Sequence, residues 1–124
     1  MKETVIKADE KKEYFLAEGC HILEMWNSSA DPEVSIARAR VRPGTATLRH
    51  RLRDTVERYV IVAGTGLVEV GDLPATEVAP GDVVVIPRGV PQRITNTGPG
   101  DLIFLCICTP RFVPGDYENL SDPP

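Results

Sequence analysis

The sequence predicts an all-β sandwich or barrel, and three observations support this prediction. The chain contains ten glycines and eleven prolines among 124 residues, a density of turn-forming residues that favours many short strands. Apolar and polar residues alternate with a period of two in several segments between the turns. No segment before residue 112 shows a sustained helical period. Short strands joined by frequent turns are typical of β-sandwiches and barrels.

The length and composition indicate one globular domain. A chain of 124 residues can build one core without disulfides, and 42% hydrophobic with 26% charged residues is a globular composition. We therefore expect a single domain over residues 1–124, with residues 1–13 and 112–124 at its periphery. The three cysteines, Cys20, Cys106 and Cys108, form no disulfide framework, which fits a reducing cytoplasm.

The charge and hydropathy of the chain limit its expected partners. The net charge of −4 at pH 7 argues against binding of duplex DNA, which needs a concentrated basic face. No apolar stretch is long enough to cross a bilayer, and the first fifteen residues do not resemble a signal peptide. We expect a cytoplasmic protein that binds a small molecule, and neither nucleic acid nor a membrane.

The first half of the chain contains four segments with strand patterns. Residues 14–26 indicate one or two strands, and residues 47–52 and 57–62 indicate one strand each. The clearest strand spans residues 34–42, where small apolar residues alternate with arginines, so that one face packs and the other is wet or lies at an interface. These arginines could attract an acidic small molecule, but ion pairs at solvated strand edges are the favoured interpretation.

The second half of the chain contains five further strand segments. The four residues of Val83–Ile86 are all apolar, as expected for a buried strand. A helical turn is expected within residues 114–120, with Asp116 as its cap. The five strand segments are 67–70, Thr76–Val78, Val83–Ile86, Gln92–Asn96 and Leu102–Thr109.

Residues 44–64 contain a recognisable spacing of glycine, histidine and glutamate. Gly44 is followed after five residues by His50, then after six residues by Glu57, and after six more by Gly64. This order resembles the first motif of the cupin family, G-x5-H-x-H-x3–4-E-x6-G. The position of the second histidine is taken by Leu52.

Residues 81–96 resemble the second cupin motif, G-x5-P-x-G-x2-H-x3-N. Gly81, Pro87, Gly89 and Asn96 occupy its fixed positions, and Gln92 stands where the histidine is usual. Two motifs in this order, separated by a short gap, make the chain similar to small single-domain cupins. The resemblance implies a double-stranded β-helix, a jelly-roll barrel of two antiparallel sheets, and a homodimer.

The resemblance also implies a divalent transition metal in the barrel. Cupins commonly bind such a metal through three histidines and one glutamate. In this chain the corresponding set is His50, Glu57 and Gln92, which supplies one nitrogen and two oxygens. Such a set suits Mn, Fe, Ni or Zn without choosing among them, and it should bind more weakly than a three-histidine site.

The strand pattern predicts which side chains share the pocket. His50 and Leu52 are two residues apart and therefore face the same side of one strand. If the fold is correct, both converge with Glu57 and Gln92 at the barrel mouth. Further side chains are expected to line this pocket, namely Tyr59, Ile94 and Cys106. Trp26 and Phe104 are expected in the core or at a dimer contact, His21 at the surface or as a substitute ligand, and Arg93 on the outside.

Three functions remain open from the sequence. The first is a metal-dependent enzyme that acts on a small oxygenated molecule as a dioxygenase, isomerase or epimerase, or its metal-free counterpart. In the metal-free form, burial raises the pKa of Glu57, and Glu57 with His50 moves a proton on a carbonyl compound or sugar. The second is a ligand-binding or sensing barrel, and the third is a structural barrel with a vestigial site.

Overall fold

The structure is a computed structural model that describes residues 1–16 and 19–121. Within these residues the chain forms eleven strands and two single turns of 3₁₀ helix, Glu10–Lys12 and Pro114–Asp116. The predicted all-β class is confirmed. None of the helical segments in the described residues is long and apolar enough to span a membrane. The strands are β1 (Tyr14–Phe15), β2 (His21–Trp26), β3 (Ser35–Val41), β4 (His50–Leu52), β5 (Val56–Ala63), β6 (Gly66–Val70), β7 (Thr76–Val78), β8 (Val83–Ile86), β9 (Gln92–Asn96), β10 (Leu102–Thr109) and β11 (Tyr117–Asn119).

The strands form two antiparallel sheets that pack against each other. The larger sheet has the order β1-β2-β3-β10-β5-β8, and the smaller has the order β11-β4-β9-β6-β7. Every second residue of a strand points between the sheets, as in β10, where Leu102, Phe104, Cys106 and Cys108 are buried. This arrangement is the predicted double-stranded β-helix.

Strand β8 is only half-buried, which corrects the expectation of a fully buried strand. Val83 and Val85 are 58% and 59% exposed, whereas Val84 and Ile86 are buried. The reason is that only one face of β8 packs into the barrel, while its other face lies on the outside of the larger sheet. Four consecutive apolar residues could not reveal this alternation in the sequence.

The strand predicted over residues 47–52 is shorter in the structure. Only His50–Leu52 form β4, while Ala46 makes an isolated bridge with Thr95. Thr47 ties the intervening segment to β9, since its backbone N–H donates to the carbonyl of Ile94 and its hydroxyl accepts from the N–H of Ile94. The segment 14–26 forms two strands, β1 and β2.

The C-terminal segment is part of the smaller sheet, although residues 112–124 are expected at the periphery. Strand β11 pairs with β4, and the backbone N–H of Leu120 donates to the carbonyl of Arg49 at 2.8 Å. The expected helical turn exists as Pro114–Asp116, but Asp116 ends it and does not cap it. Instead, the buried Asp116 carboxylate accepts from the backbone N–H of Asp54 at 2.9 Å and from the hydroxyl of Thr55.

The arginines of β3 form ion pairs with the N-terminal segment. Glu13 contacts Arg38 at 3.0 Å and Arg40 at 2.6 Å, and Arg40 also contacts Asp101 at 3.2 Å. The hydrogen bond from Arg40, followed by that from Arg38, lowers the pKa of Glu13 to about 2. The alternating arginines of this strand therefore attach residues of the N-terminal segment to the outer face of the larger sheet.

Replacement of Asp116 by alanine is expected to lower the free energy of unfolding by about 1–3 kcal/mol, because the backbone N–H of Asp54 and the hydroxyl of Thr55 lose a buried acceptor. Urea denaturation followed by circular dichroism measures this change. Asp72→Ala, at an exposed carboxylate, is the control. Equal midpoints for the two variants would contradict the structural role of Asp116.

Replacement of Glu13 by glutamine is expected to remove a stabilisation that depends on pH. Because the folded-state pKa of Glu13 is depressed, its contribution is complete above the ordinary value of 4.5 and is lost as the pH falls towards about 2. Unfolding free energies of wild type and Glu13→Gln should thus differ at pH 7 and converge in acid. The prediction is contradicted if the difference in unfolding free energy between wild type and Glu13→Gln does not change with pH. It is also contradicted if Glu3→Gln, at an exposed residue, differs from wild type by the same amount.

Candidate functional site

A cleft of about 80 Å³, continuous with solvent, lies between the two sheets. Strands β2, β3, β5 and β10 of the larger sheet line it on one side, and β4 and β11 of the smaller sheet line it on the other. Its volume is smaller than that of typical pockets for drug-sized ligands, about 300–1,000 Å³, so it suits a compact molecule. The cleft is therefore a candidate binding site for a small ligand.

Small side chains on two adjacent strands create the space. Ala37 of β3 lies opposite Cys106 of β10, and Cys106 lies opposite Tyr59 of β5, so one row across the sheet contains two small residues and one large residue. The next row adds Ala39 beside Phe104. The period of two that places alanines inward places arginines outward, and this explains the Ala-Arg alternation of β3.

His50 projects from β4 and is held in one orientation. Its side chain is buried, and Nδ1 lies 2.8 Å from the backbone carbonyl oxygen of Leu48. Because a carbonyl only accepts, Nδ1 carries the proton in the neutral ring, and Nε2 carries the lone pair. The ring also stacks on Tyr117 of β11, with centroids 4.9 Å apart.

Glu57 lies on the opposite side of the cleft, on β5. It is 9% exposed, and it is paired in register with Cys108, which is in turn paired with Ser35. The thiol of Cys108 donates to Oε2 of Glu57 at 3.7 Å. Burial, and then the Glu57 carboxylate, raise the pKa of the Cys108 thiol, so the sulfur stays protonated as a donor.

Gln92 lies behind the cleft surface rather than on it. It is paired with His50 across β9 and β4, and it is 1% exposed. The hydroxyl of Tyr59 donates to Oε1 of Gln92. The buried Nε2 of Gln92 has no hydrogen-bond partner within the described part of the chain. Gln92 thus contacts a residue of the cleft wall, and the side chain that reaches the cleft is that of Tyr59.

Of the other residues considered from the sequence, some line the cleft and some do not. Leu52, Tyr59 and Cys106 line it together with His50 and Glu57. Ile94 is fully buried in the core and is not among the lining residues. His21 is also absent from the lining and makes an edge contact with the ring of Phe15. Arg93 lies on the outside, paired with Glu69 at 2.7 Å.

The donor atoms do not fit a tight metal site. Within residues 1–16 and 19–121, no three His, Cys, Asp or Glu side chains are arranged to hold a metal ion. Leu52 offers no lone pair, and Oε1 of Gln92 already accepts from Tyr59. His50 and Glu57 remain, whereas protein sites for such metals use at least three ligands. The metal expectation therefore rests on the family resemblance alone.

Several lining residues were not predicted from the sequence, among them Tyr117, Glu24 and Ser35. Tyr117 reaches the cleft because β11 joins the smaller sheet, and Glu24 and Ser35 reach it from β2 and β3. Ser35 begins the same alternation as Ala37 and Ala39, so the pattern of β3 contained a signal for it. The strand pairing that brings in Tyr117 has no comparable local signal.

Comparison with known proteins identifies the family. Residues 37–108 match the model of the cupin domain, and the chain belongs to this family. It is 34% identical over 123 residues to the uncharacterized protein MJ1618 of Methanocaldococcus jannaschii, with 98% of each chain covered.

Solved structures of low sequence identity share the fold. A Klebsiella pneumoniae protein with a double-stranded β-helix domain superposes with a TM-score of 0.74 at 13% identity, covering 91% of this chain and 88% of that one. Pac13, a nucleoside dehydratase known from Streptomyces, superposes with a TM-score of 0.76 at 17% identity, covering 95% of this chain and 92% of that one. These likenesses establish the double-stranded β-helix and nothing further.

Replacement of Leu52 by histidine is expected to raise the affinity for Co²⁺ or Zn²⁺ at least about tenfold, because a second imidazole joins His50 and Glu57 in the cleft. Visible absorption of bound Co²⁺ and calorimetry with Zn²⁺ measure the change. Leu52→Asn, similar in size but without imidazole, is the matched control. If Leu52→His and Leu52→Asn bind metal equally, residues 50, 52 and 57 do not share one site.

Proposed function

We propose that the cleft binds a small oxygenated molecule and that Glu57 and His50 transfer a proton on it. The observation that supports this most directly is the position of the two side chains. Both are buried, both line one cleft, and they belong to different sheets. A ligand between the sheets would contact a carboxylate on one side and an imidazole on the other.

The two groups suit a proton transfer next to a carbonyl. The Glu57 carboxylate removes a proton from the carbon beside the carbonyl, and the electrons of that C–H bond form the double bond of an enol or enolate. In an isomerisation, Nε2 of His50 accepts the proton of a neighbouring hydroxyl and delivers it to the oxygen of the former carbonyl, while the Glu57 carboxylic acid protonates the former carbonyl carbon. In an epimerisation, Glu57 returns its proton to the other face of the original carbon and His50 transfers none. In both cases the two side chains end in their starting protonation states.

The surroundings of the two groups support these roles. The hydrogen bond to Leu48 fixes the tautomer of His50, and stacking on Tyr117 fixes the plane of its ring. The protonated thiol of Cys108 donates to one oxygen of Glu57 and therefore helps to orient the carboxylate. Dioxygenase chemistry, which the family resemblance also implies, has weaker support because it needs a metal and the donor atoms do not fit one.

A ligand-binding barrel without turnover is the second candidate. The hydrogen bond from Tyr59 to Gln92 fixes one polar side chain of the cleft wall, and a ligand could bind against this wall without any reaction. The homodimer and the cytoplasmic location remain predictions. They do not enter the proposed chemistry, because all the groups it uses belong to one chain.

The test is hydrogen–deuterium exchange in D₂O, followed by NMR, with a panel of small aldoses, ketoses and their amino derivatives. The wild-type protein is expected to exchange a proton beside the carbonyl of at least one compound. Glu57→Gln should slow this exchange about 100-fold or more, and His50→Asn should slow it as well. Glu77→Gln, at an exposed residue of β7, is the matched control.

Two results would overturn the proposal. If the wild-type protein exchanges none of the compounds but binds one of them in the cleft, the barrel is a binding module. If Glu57→Gln exchanges as fast as Glu77→Gln, the carboxylate of Glu57 is not the base.

A further inference from the structure

The outer face of the larger sheet has two parts that differ in chemical character. On β3, the outward Arg38 and Arg40 form ion pairs with Glu13, which attach the N-terminal segment to that part. On β5, β8 and β10, most of the outward side chains are aliphatic. Seven of them form a surface that we call the aliphatic face: Val60, Val62, Val83, Val85, Ile103, Leu105 and Ile107.

The strand register makes the aliphatic face continuous. Leu105 of β10 is paired with Val60 of β5, and Val60 is paired in turn with Val83 of β8. Ile107 and Val85 belong to the next outward row of the same three strands. With strands about 4.8 Å apart and about 3.3 Å per residue along them, the face covers a few hundred Å². Apolar patches of this size are at the upper end for monomeric proteins and often mark binding sites for other macromolecules.

The aliphatic face is open to water in the described part of the chain. Val62, Val83 and Val85 are 51%, 58% and 59% exposed, and the outward residues of β10 are partly exposed. Removing such side chains from water is the main favourable term in protein association. Strand β8 is also an edge strand of the sheet, and an exposed apolar edge promotes aggregation unless another surface covers it.

The two ends of the aliphatic face carry opposite charges. Arg58 lies at one end, paired in register with Ile107 and hydrogen-bonded to the hydroxyl of Thr109 at 2.6 Å. Within residues 1–16 and 19–121, no carboxylate forms an ion pair with Arg58. Asp101 lies at the other end, directly before β10, and Arg40 donates to one oxygen of its carboxylate at 3.2 Å. The face is therefore complementary in charge to a reversed copy of itself.

We propose that a second copy of this chain binds to the aliphatic face and forms a closed twofold dimer. A twofold axis that runs across the strands, near the middle of the face, reverses the strand direction of one copy relative to the other. The aliphatic side chains of the two copies then meet, and Arg58 of each copy comes near Asp101 of the other. A second copy thus supplies both the apolar surface and the opposite charge at each end. The dimer is independent of the proposed proton transfer, because the cleft residues lie on the inner face of the sheet.

The first test is sedimentation equilibrium of the full chain from about 1 to about 300 µM. The aliphatic face supplies the apolar centre of an interface but less than the standard area of about 800 Å² per partner, so we expect a reversible dimer with a Kd of about 1–100 µM. Val62→Asp and Val85→Asp should each raise this Kd about 100-fold or more, because each places a charge in the apolar centre. Leu73→Asp is the matched control, since Leu73 is 69% exposed and lies in the turn between β6 and β7. Circular dichroism checks that these variants, all at exposed positions, remain folded.

A charge exchange tests the orientation of the two copies. Arg58→Glu and Asp101→Arg are each expected to raise the Kd of the dimer about tenfold, and the double variant should return it to within about threefold of the wild-type value. The inference is overturned if the wild-type chain is a monomer throughout the concentration range, whatever other protein binds the face. It is also overturned if Val62→Asp and Leu73→Asp have equal effects, if the chain forms open-ended assemblies instead of a dimer, or if the double variant is no tighter than the single variants.

Discussion

The alternation of side chains along β3, β5 and β10 is the constraint on which the site depends. Successive residues of a strand face opposite sides, so one register decides both the core and the outer surface. In β3 this places Ala37 and Ala39 inside and Arg38 and Arg40 outside, where they pair with carboxylates. The same register places Glu57 inside. A shift by one residue would bury arginines and remove the cleft.

The smaller sheet covers the inner face of the larger sheet and supplies the other residues of the site. Strand β4 brings His50 opposite Glu57, and β11 adds a stacked ring. The 3₁₀ turn before β11 anchors the segment that precedes β5 through Asp116. Polar groups in the interior are thus held by neighbours on several strands. This rigidity favours a site with a fixed proton acceptor, and the leucine at position 52 leaves it without the ligands of a tight metal site.

The sequence predicted the fold well and the site in part. Alternating apolar residues and turn residues locate the individual strands, and the spacing of the first motif predicts that His50, Leu52 and Glu57 share one cleft. The contribution of β11 was missed, because pairing between distant segments leaves no local pattern. Gln92 was expected on the cleft surface, but only packing against Tyr59 reveals that it lies behind that surface.

The central claim is that His50 and Glu57 share one cleft, with the imidazole fixed as a proton acceptor. Long-range ¹H–¹⁵N NMR of the two histidine rings tests it directly, with His21→Gln used to assign His50. We expect the neutral tautomer of the His50 ring to carry its proton on Nδ1, with ring shifts that change in Glu57→Gln and stay unchanged in Glu77→Gln. A ring protonated at Nε2, or one that does not respond to Glu57→Gln, would contradict it.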